Sequence, residues 1–170
     1  MPLAAIALGS NLASAFGDRA ANLREAVSRV ATLGHIRAVS SFYSTAPVGY
    51  TEQPDFLNAA LLLETDLEPL ALLRALLEIE RAMGRDRASV PAKGPRIIDL
   101  DLLLMGDTVL TTPELTLPHP AMKDRRFVLE PLAEIAPAMV HPISGQTVAE
   151  LLCLVDRTNL LDADACRSTE

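Results

Sequence analysis

The order of apolar segments along the 170-residue chain predicts its fold class. Four segments have the composition of β-strands, and two carry apolar residues at helical spacing, with Gly and Pro between them as breakers. In chain order they are strand, helix, strand, strand, helix and strand, at residues 3–8, 18–33, 36–43, 56–64, 69–83 and 97–105. A chain of this length is sufficient for one domain with a complete apolar core.

The β-α-β-β-α-β order is that of the split βαβ, or ferredoxin-like, pattern, in which an antiparallel sheet carries both helices on one face. The other face is then open to a ligand or to the C-terminal part of the chain. There, residues 111–120 are predicted as a loop, and residues 125–135 and 148–155 as short helices. We therefore expect an α+β, ferredoxin-like sandwich with C-terminal helical additions, a single domain over residues 1–157 and a poorly ordered tail over residues 158–170.

The distribution of charge argues against one class of function and favours another. The formal net charge is −7, so the broad basic surface of a nucleic-acid-binding protein is absent. The 15 Lys and Arg residues are nevertheless clustered, with five between residues 81 and 96 and three between residues 123 and 126. An acidic chain that concentrates its cations in two segments is expected to bind a compact anion there, although solvated helix ends are the alternative.

Cysteine usage and hydropathy predict a cytoplasmic protein. Cys153 and Cys166 lack the spacing of a zinc site or of a disulfide framework. The apolar run at residues 3–8 is short and no basic residue precedes it, unlike in a signal peptide, and no run approaches the length of a membrane span. We expect a monomer, with neither a membrane nor a nucleic acid among its partners.

Two aspartates inside the last predicted strand are the strongest sign of chemistry. Asp99 and Asp101 stand in the run Ile-Ile-Asp-Leu-Asp-Leu-Leu-Leu at residues 97–104. Because side chains alternate along a strand, both carboxylates lie on one face and start roughly 6.6 Å apart. The opposite face is then formed by Ile98, Leu100, Leu102 and Leu104. Adjacent buried carboxylates repel, so a divalent cation such as Mg²⁺ would compensate them; the alternative is an Asp pair that faces solvent and binds Arg.

Four segments of the chain together resemble one enzyme family. They contain Ala-Leu-Gly-Ser-Asn-Leu at residues 7–12, Ser-Ser-Phe-Tyr-Ser-Thr-Ala-Pro-Val-Gly at residues 40–49, Gly-Pro-Arg-Ile-Ile-Asp-Leu-Asp at residues 94–101, and Leu-Pro-His-Pro at residues 117–120 followed by Arg-Arg-Phe at residues 125–127. Each motif alone is weak, but all occur in the order and at close to the spacing of the 6-hydroxymethyl-7,8-dihydropterin pyrophosphokinase family. The resemblance extends over residues 3–150.

The resemblance implies a ferredoxin-like fold, Mg²⁺ as cofactor, and ATP and 6-hydroxymethyl-7,8-dihydropterin as substrates. The family transfers the β,γ-diphosphate of ATP to the hydroxymethyl group of the pterin and releases AMP, a step of folate biosynthesis. It further implies that Asp99 and Asp101 hold two Mg²⁺ ions and act in catalysis together with Arg85 and Arg96. Phosphoryl transfer needs positioning and charge neutralisation, and the planar arginine fork suits phosphate oxygens.

Two sets of ligand-binding residues also follow from the resemblance. The ATP-binding positions correspond to Glu80, Arg85, Arg87, Arg96, Leu102, Thr116, His119 and Arg125. The pterin-binding positions correspond to Thr45, Val48, Phe56, Asn58 and Phe127. The two phenyl rings would stack on the flat heterocycle. Judged from the residues alone, Phe56 and Phe127 are as readily core residues, and Glu80 is as readily the partner of an arginine in a structural ion pair.

The chain departs from the best-known members of the family in the basic loop before Gly94. An Arg-Trp pair of the family is replaced by Ala92-Lys93, and an aromatic residue after His119 is replaced by Pro120. Lysine cannot stack on a pterin as tryptophan does, so we expect this loop to close in a different way.

Two other hypotheses remain open at this point. A different two-metal nucleotidyl or phosphoryl transferase on a similar sheet would use Asp99 and Asp101 but would not explain Phe56, Asn58 and Phe127. A ligand-binding ferredoxin-like module without catalysis would need no pair of inward carboxylates beside arginines. A P-loop kinase is excluded because the chain has no Gly-rich loop of the G-x-x-x-x-G-K-[ST] type.

Overall fold

The computed structural model describes residues 2–45, 54–85 and 95–159 of the chain. Its strands are β1 (Leu3–Ser10), β2 (His35–Val39), β3 (Tyr43–Thr45), β4 (Phe56–Glu64), β5 (Asp99–Met105), β6 (Leu110–Thr111) and β7 (Thr116–Leu117). Its α-helices are α1 (Arg19–Val30), α2 (Pro69–Ala82), α3 (Arg126–Ile135) and α4 (Val148–Asn159). The predicted C-terminal tail lies outside the described residues from residue 160 onward.

The main sheet is antiparallel, in the order β2-β4-β1-β5, and β3 pairs with the first residues of β4. β2, β4, β1 and β5 correspond to the second, third, first and fourth predicted strands. This is the strand order of a ferredoxin-like sheet, so the prediction of an α+β, ferredoxin-like fold is confirmed. The prediction of a single strand over residues 36–43 is wrong, because the chain forms two strands there, β2 and β3. The Ser40 hydroxyl takes the place of a backbone acceptor for Ala60 N–H, and Ser41 N–H donates to Glu134, so the ladder is interrupted at these residues.

Both faces of the sheet are covered by helices, and each carries its own apolar core. On one face, α1 and α2 pack against alternate strand residues; the buried set includes Ile6, Leu23, Leu61, Leu72, Leu76, Leu100 and Leu102. On the other face, α3 and α4 pack against the strands; this set includes Ala5, Ala60, Leu103, Leu129, Leu132, Leu151 and Val155. The C-terminal segment therefore covers the face that the sequence left open, except at the end of the strands where a cleft remains.

A register shift in β5 corrects one prediction about side-chain direction. Ala5 pairs with Leu104, whereas the next residue, Ile6, pairs with Leu102, so Leu103 is an extra residue in the ladder. Such a bulge reverses the alternation beyond it. Leu104 consequently joins Leu103 in the core beneath α3 and α4, and not Leu102 on the opposite face as predicted. Asp99 and Asp101 precede the bulge, and their shared face is unaffected.

Local sequence signals account for the ends of several elements. Asp18 caps α1, since its Oδ1 accepts from Ala21 N–H at 2.9 Å, a bond typically worth about 1 kcal/mol. Pro69 begins α2, where its missing N–H costs nothing. Gly34 follows a 3₁₀ turn in extended backbone, and it is required for close packing because an added Cβ would lie 2.2 Å from the Glu64 carbonyl oxygen.

The segment predicted as a loop over residues 111–120 contains a small hairpin that the sequence did not reveal. Leu110 pairs with Leu117 and Thr111 pairs with Thr116. Two-residue strands are too short to produce a hydropathy period, which explains why the prediction was wrong. Across residues 2–45, 54–85 and 95–159, none of the helices has the length and apolarity that crossing a membrane requires.

Candidate active site

A cleft of about 340 Å³ opens where β1 ends and β4 and β5 begin, beside the start of α3. It joins the predicted metal, phosphate and pterin residues in one space. Its lining consists of Ala7, Leu8, Gly9, Thr45, Phe56, Asn58, Arg96, Asp99, Asp101, Asp124, Arg125, Arg126, Phe127 and Val128.

The two aspartates reach this cleft because β5 pairs with small residues of β1. Asp99 lies opposite Gly9 and Asp101 lies opposite Ala7, so both carboxylates are on the same face of the sheet. On the far side of β1, Gly9 also pairs with Asn58 of β4. The row Asn58–Gly9–Asp99 therefore crosses three strands, and a Cβ at Gly9 would lie only 3.3 Å from Asn58 Oδ1.

Asp99 is held by two arginines from different segments. Nη1 of Arg85 lies 2.8 Å from its Oδ1, and Nη1 of Arg96 lies 3.1 Å from its Oδ2. The same Arg85 nitrogen lies 3.0 Å from Oε2 of Glu80, and that Glu80 oxygen also accepts from Leu100 N–H at 2.7 Å. The side chains of Arg85 and Glu80 are 8% and 2% exposed, so this ion pair is shielded from solvent.

Asp101 has a different electrostatic environment from Asp99. Burial, and next the charge of Asp99, raise the pKa of Asp101 to about 7, against an opposing contribution from Arg125. The negative charge of the pair is thus only partly compensated by the arginines. A bound cation would supply the missing charge.

The donor set fits a hard divalent ion. Within the described ranges, no group of three or more His, Cys, Asp or Glu side chains is gathered as a metal site. Two carboxylates are nevertheless a common set of protein ligands for Mg²⁺, whose remaining ligands are then water and substrate phosphates. Asp99 and Asp101 are the residues that would hold it.

His119 and Arg125 lie near the acidic pair. His119 Nδ1 accepts a hydrogen bond from Ala121 N–H at 3.2 Å, which makes Nε2 the nitrogen that carries the proton in the neutral ring. Burial, together with the positive charge of Arg125, lowers the pKa of His119 despite the opposing effect of Asp99. A neutral histidine with an Nε2–H donor is therefore the form expected at neutral pH.

The opposite end of the cleft is aromatic and amide-rich. The guanidinium of Arg96 lies 5.2 Å from the centroid of the Phe56 ring, and that of Arg125 lies 5.7 Å from the centroid of Phe127. Asn58 is 6% exposed, and its Nδ2 donates to Thr45 Oγ1 at 2.5 Å. Two of the predicted phosphate-binding arginines, Arg96 and Arg125, thus each stand beside a ring that was predicted to stack on the pterin.

Not all the predicted site residues lie in the cleft. Glu80 is buried under Arg85, and Leu102 is part of the core beneath α1 and α2. Arg85, Thr116 and His119 are not among the described residues that line the cleft. Val48 and Arg87, and with them the Ala92-Lys93 pair, lie outside the described residues.

Asn11 is the main residue that the predicted site lacked. Its backbone N–H donates to the Arg96 carbonyl oxygen at 3.1 Å, and its Oδ1 accepts from Arg96 N–H at 2.8 Å. Its Nδ2 donates to the carbonyl oxygen of Pro54 at 3.0 Å. Asn11 therefore joins the segments that carry Arg96 and Phe56. The Gly-Ser-Asn turn after β1 was the available signal, but a turn alone does not disclose its long-range partners.

Comparisons with known proteins identify the family of this chain. The sequence model of the 7,8-dihydro-6-hydroxymethylpterin-pyrophosphokinase (HPPK) family matches residues 5–137. A 2-amino-4-hydroxy-6-hydroxymethyldihydropteridine pyrophosphokinase of Methylorubrum extorquens is 44% identical over 162 residues, covering 94% of this chain and 98% of that protein. The protein of the same name from Haemophilus influenzae is 43% identical, covering 89% of this chain and 92% of that protein.

Other relatives are longer. The folic acid synthesis protein fol1 of Schizosaccharomyces pombe is 40% identical over 152 residues, and the match covers 88% of this chain but 20% of that protein. The crystal structure of wild-type Plasmodium falciparum HPPK-DHPS with pteroate superposes with a TM-score of 0.72 at 16% identity, covering 98% of this chain and 44% of that chain. At that identity the superposition establishes the fold alone.

A ferredoxin-like sheet that ends in a carboxylate and arginine cleft, with pyrophosphokinases as its relatives, defines a kinase that uses a nucleotide. The chain belongs to the 7,8-dihydro-6-hydroxymethylpterin-pyrophosphokinase family, as its motifs predicted.

Proposed function

We propose that this chain transfers the β,γ-diphosphoryl group of ATP to the hydroxymethyl oxygen of 6-hydroxymethyl-7,8-dihydropterin and releases AMP. The observation that supports the proposal is the row Asn58–Gly9–Asp99: the residue proposed to recognise the pterin and the carboxylate proposed to hold the metal share one face of the sheet, two strands apart. Strand spacing makes that separation about 10 Å. Gly9 has no side chain to obstruct the space between them.

The bond changes define what the cleft must accomplish. The pterin hydroxyl oxygen forms a bond to the β-phosphorus, the bond from that phosphorus to the α,β-bridging oxygen breaks, and the hydroxyl proton is released. Asp99 and Asp101 would hold two Mg²⁺ ions, which neutralise phosphate charge and make the hydroxyl more acidic when bound. Positioning of the two substrates supplies much of the remaining acceleration.

Arginines and a histidine provide the phosphate contacts. Arg96 and Arg125 line the cleft and can each donate two parallel hydrogen bonds to phosphate oxygens. Nε of Arg85 is buried and has no hydrogen-bond partner among the described residues, so a phosphate oxygen would satisfy it. The Nε2–H of His119 supplies a further donor. These groups stabilise charge without transferring a proton to the substrate.

Phe56, Phe127 and Asn58 recognise the pterin. The two rings accept the flat heterocycle by offset stacking in place of the arginine contacts described above. Asn58 has both donor and acceptor atoms for the amide edge of the pterin, and its bond to Thr45 fixes the orientation of its side chain.

One chain supplies both walls of the cleft, so the enzyme acts as a monomer, in the cytoplasm where ATP is available.

Product analysis tests this proposal. The protein is incubated with ATP, Mg²⁺ and 6-hydroxymethyl-7,8-dihydropterin, and nucleotides are separated by anion-exchange chromatography. We expect one AMP for each pterin consumed, and no AMP when 6-methyl-7,8-dihydropterin, which lacks the hydroxyl group, is the only pterin present. ADP as the nucleotide product, or AMP formation that does not require the hydroxyl group, would contradict the proposal.

A further inference from the structure

A carboxylate outside the cleft connects the two walls of the predicted pterin slot. Glu134, near the C-terminal end of α3, accepts hydrogen bonds from Ser41 N–H at 3.0 Å to each oxygen and from Ser41 Oγ at 3.0 Å to Oε2. Its Oε1 also accepts from Tyr43 Oη at 2.6 Å. One exposed carboxylate therefore ties α3 to β3 through the Tyr43 hydroxyl, and to the residue two positions before β3 through the backbone and hydroxyl donors of Ser41.

Each of the two connected elements carries part of the slot. Phe127 is the second residue of α3 and lies seven residues, or about two turns, before Glu134. Tyr43 begins β3, which pairs residue by residue with the cleft end of β4: Tyr43 with Asn58, and Thr45 with Phe56. The carboxylate thus acts on two elements, α3 and β3, each of which carries a residue of the cleft lining.

β3 needs such an attachment because its own pairing is short. It contributes three residues to the sheet and pairs only with β4 among the described residues. A three-residue strand on a sheet edge gains little stability from its ladder. The mutual hydrogen bond changes the acidity of both groups: the bond from Tyr43 lowers the pKa of Glu134, and the same bond raises the pKa of Tyr43 to about 12.

We propose that Glu134 is a positioning residue for the pterin slot, which fixes the distance between the Phe127 wall and the wall formed by Thr45, Phe56 and Asn58. The inference rests on the proposed function, because it assigns the slot to the pterin. Glu134 itself contacts no substrate. It acts through β3, which carries none of the proposed phosphate-binding residues, so its loss loosens pterin binding and leaves nucleotide binding by Arg96 and Arg125 unchanged.

Calorimetry on matched variants tests this assignment. Glu134→Gln removes the charge and one acceptor oxygen, and Tyr43→Phe removes one donor and keeps the ring. Glu78→Gln is the control, since Glu78 lies on the exposed face of α2 and pairs with Arg81. Pterin binding is measured with a non-hydrolysable Mg-ATP analogue present, nucleotide binding is measured separately, and thermal unfolding is recorded for each variant.

We expect both test variants to weaken pterin binding, Glu134→Gln by about tenfold, with nucleotide binding within twofold of wild type and a small change in Tm. The control should match wild type. Unchanged pterin binding in both test variants would overturn the role of Glu134. Equal losses of affinity for both ligands, together with a large fall in Tm, would also overturn it. Either outcome would leave the proposed function standing. A wild-type protein that binds no pterin would overturn both.

Discussion

The Arg85 guanidinium lies 2.8 Å from the Asp99 carboxylate, with Glu80 at 3.0 Å from the same nitrogen. Because of this contact, Asp99 is paired directly with an arginine, whereas at Asp101 burial and the charge of Asp99 outweigh the opposing effects of Arg125 and Arg85 and raise the pKa to about 7. The arrangement also makes Arg85 the link between α2 and the start of β5.

Arg85→Ala should lower the free energy of unfolding by about 3 kcal/mol, because it leaves Glu80 buried without its cation. Urea denaturation measures the change. The double variant Arg85→Ala, Glu80→Gln should recover part of it, since glutamine still accepts from Leu100 N–H. Arg81→Ala, which removes an exposed pair with Glu78, is the control and should leave the free energy of unfolding close to that of wild type. An Arg85→Ala protein as stable as that control would show that the buried pair contributes nothing.

Asp99→Asn and Asp101→Asn should each lower kcat at least a hundredfold, a loss of about 2.7 kcal/mol of transition-state stabilisation, because each removes a ligand for the divalent ion. Steady-state rates at saturating substrates measure the effect, and circular dichroism verifies the fold. Asp107→Asn, at an exposed position after β5, serves as the control. Either test variant retaining more than a tenth of wild-type kcat would refute the assignment of the carboxylate pair as the metal site.

Phe127→Ala should weaken pterin binding by about tenfold or more while nucleotide binding changes little, because the variant loses ring stacking and apolar contact on one side of the slot. Titration calorimetry with each ligand separates the two effects. Phe16→Ala removes a half-exposed ring that contacts Arg29, and should alter neither affinity. Equal losses for pterin and nucleotide would indicate that Phe127 supports the fold of the whole cleft and not the slot.

The pKa of Asp101 predicts a dependence of stability on pH in the metal-free protein. The folded pKa, about 7, lies above the ordinary value of 3.8, so between these pH values the folded chain retains a proton that the unfolded chain has released. Stability is therefore lost as pH rises through this window, and the loss levels off above about pH 7.

Urea denaturation in the presence of EDTA, from pH 5 to pH 8.5, measures this effect. Asp101→Asn cannot ionise at this position, so its stability advantage over wild type should grow between pH 5 and pH 7 and then remain constant. An advantage that does not change with pH, or that grows toward acid, would show that burial does not hold the proton on Asp101.

Much of the fold could be predicted because it depends on local patterns. Alternation in residues 97–102 placed Asp99 and Asp101 on one face, and the order of elements gave the sheet. Two of the errors depend on partners distant in sequence. The bulge at Leu103 exists only in register with β1, and at the interruption the Ser41 N–H donates to Glu134, on α3, in place of the ladder.

The site was predictable to a similar degree. A glutamate on the apolar face of a helix indicated a buried partner, but the choice among several nearby arginines required the packing of α2 against β5. The hydrogen bonds of Asn11 to Arg96 and Pro54 could not be read from its turn, because both partners are more than 40 residues away. Residue type indicated the chemistry, and tertiary packing determined which groups meet.

Transfer of both terminal phosphates of ATP as one unit is the central claim, and isotopic labelling tests it most directly. Parallel reactions contain Mg²⁺, 6-hydroxymethyl-7,8-dihydropterin and ATP labelled with ³²P at either the β or the γ position, and the products are separated by chromatography. The account predicts that both labels appear in the pterin product to the same extent and that the AMP is unlabelled. A γ label in the pterin with the β label retained in ADP would contradict it and would identify a simple kinase.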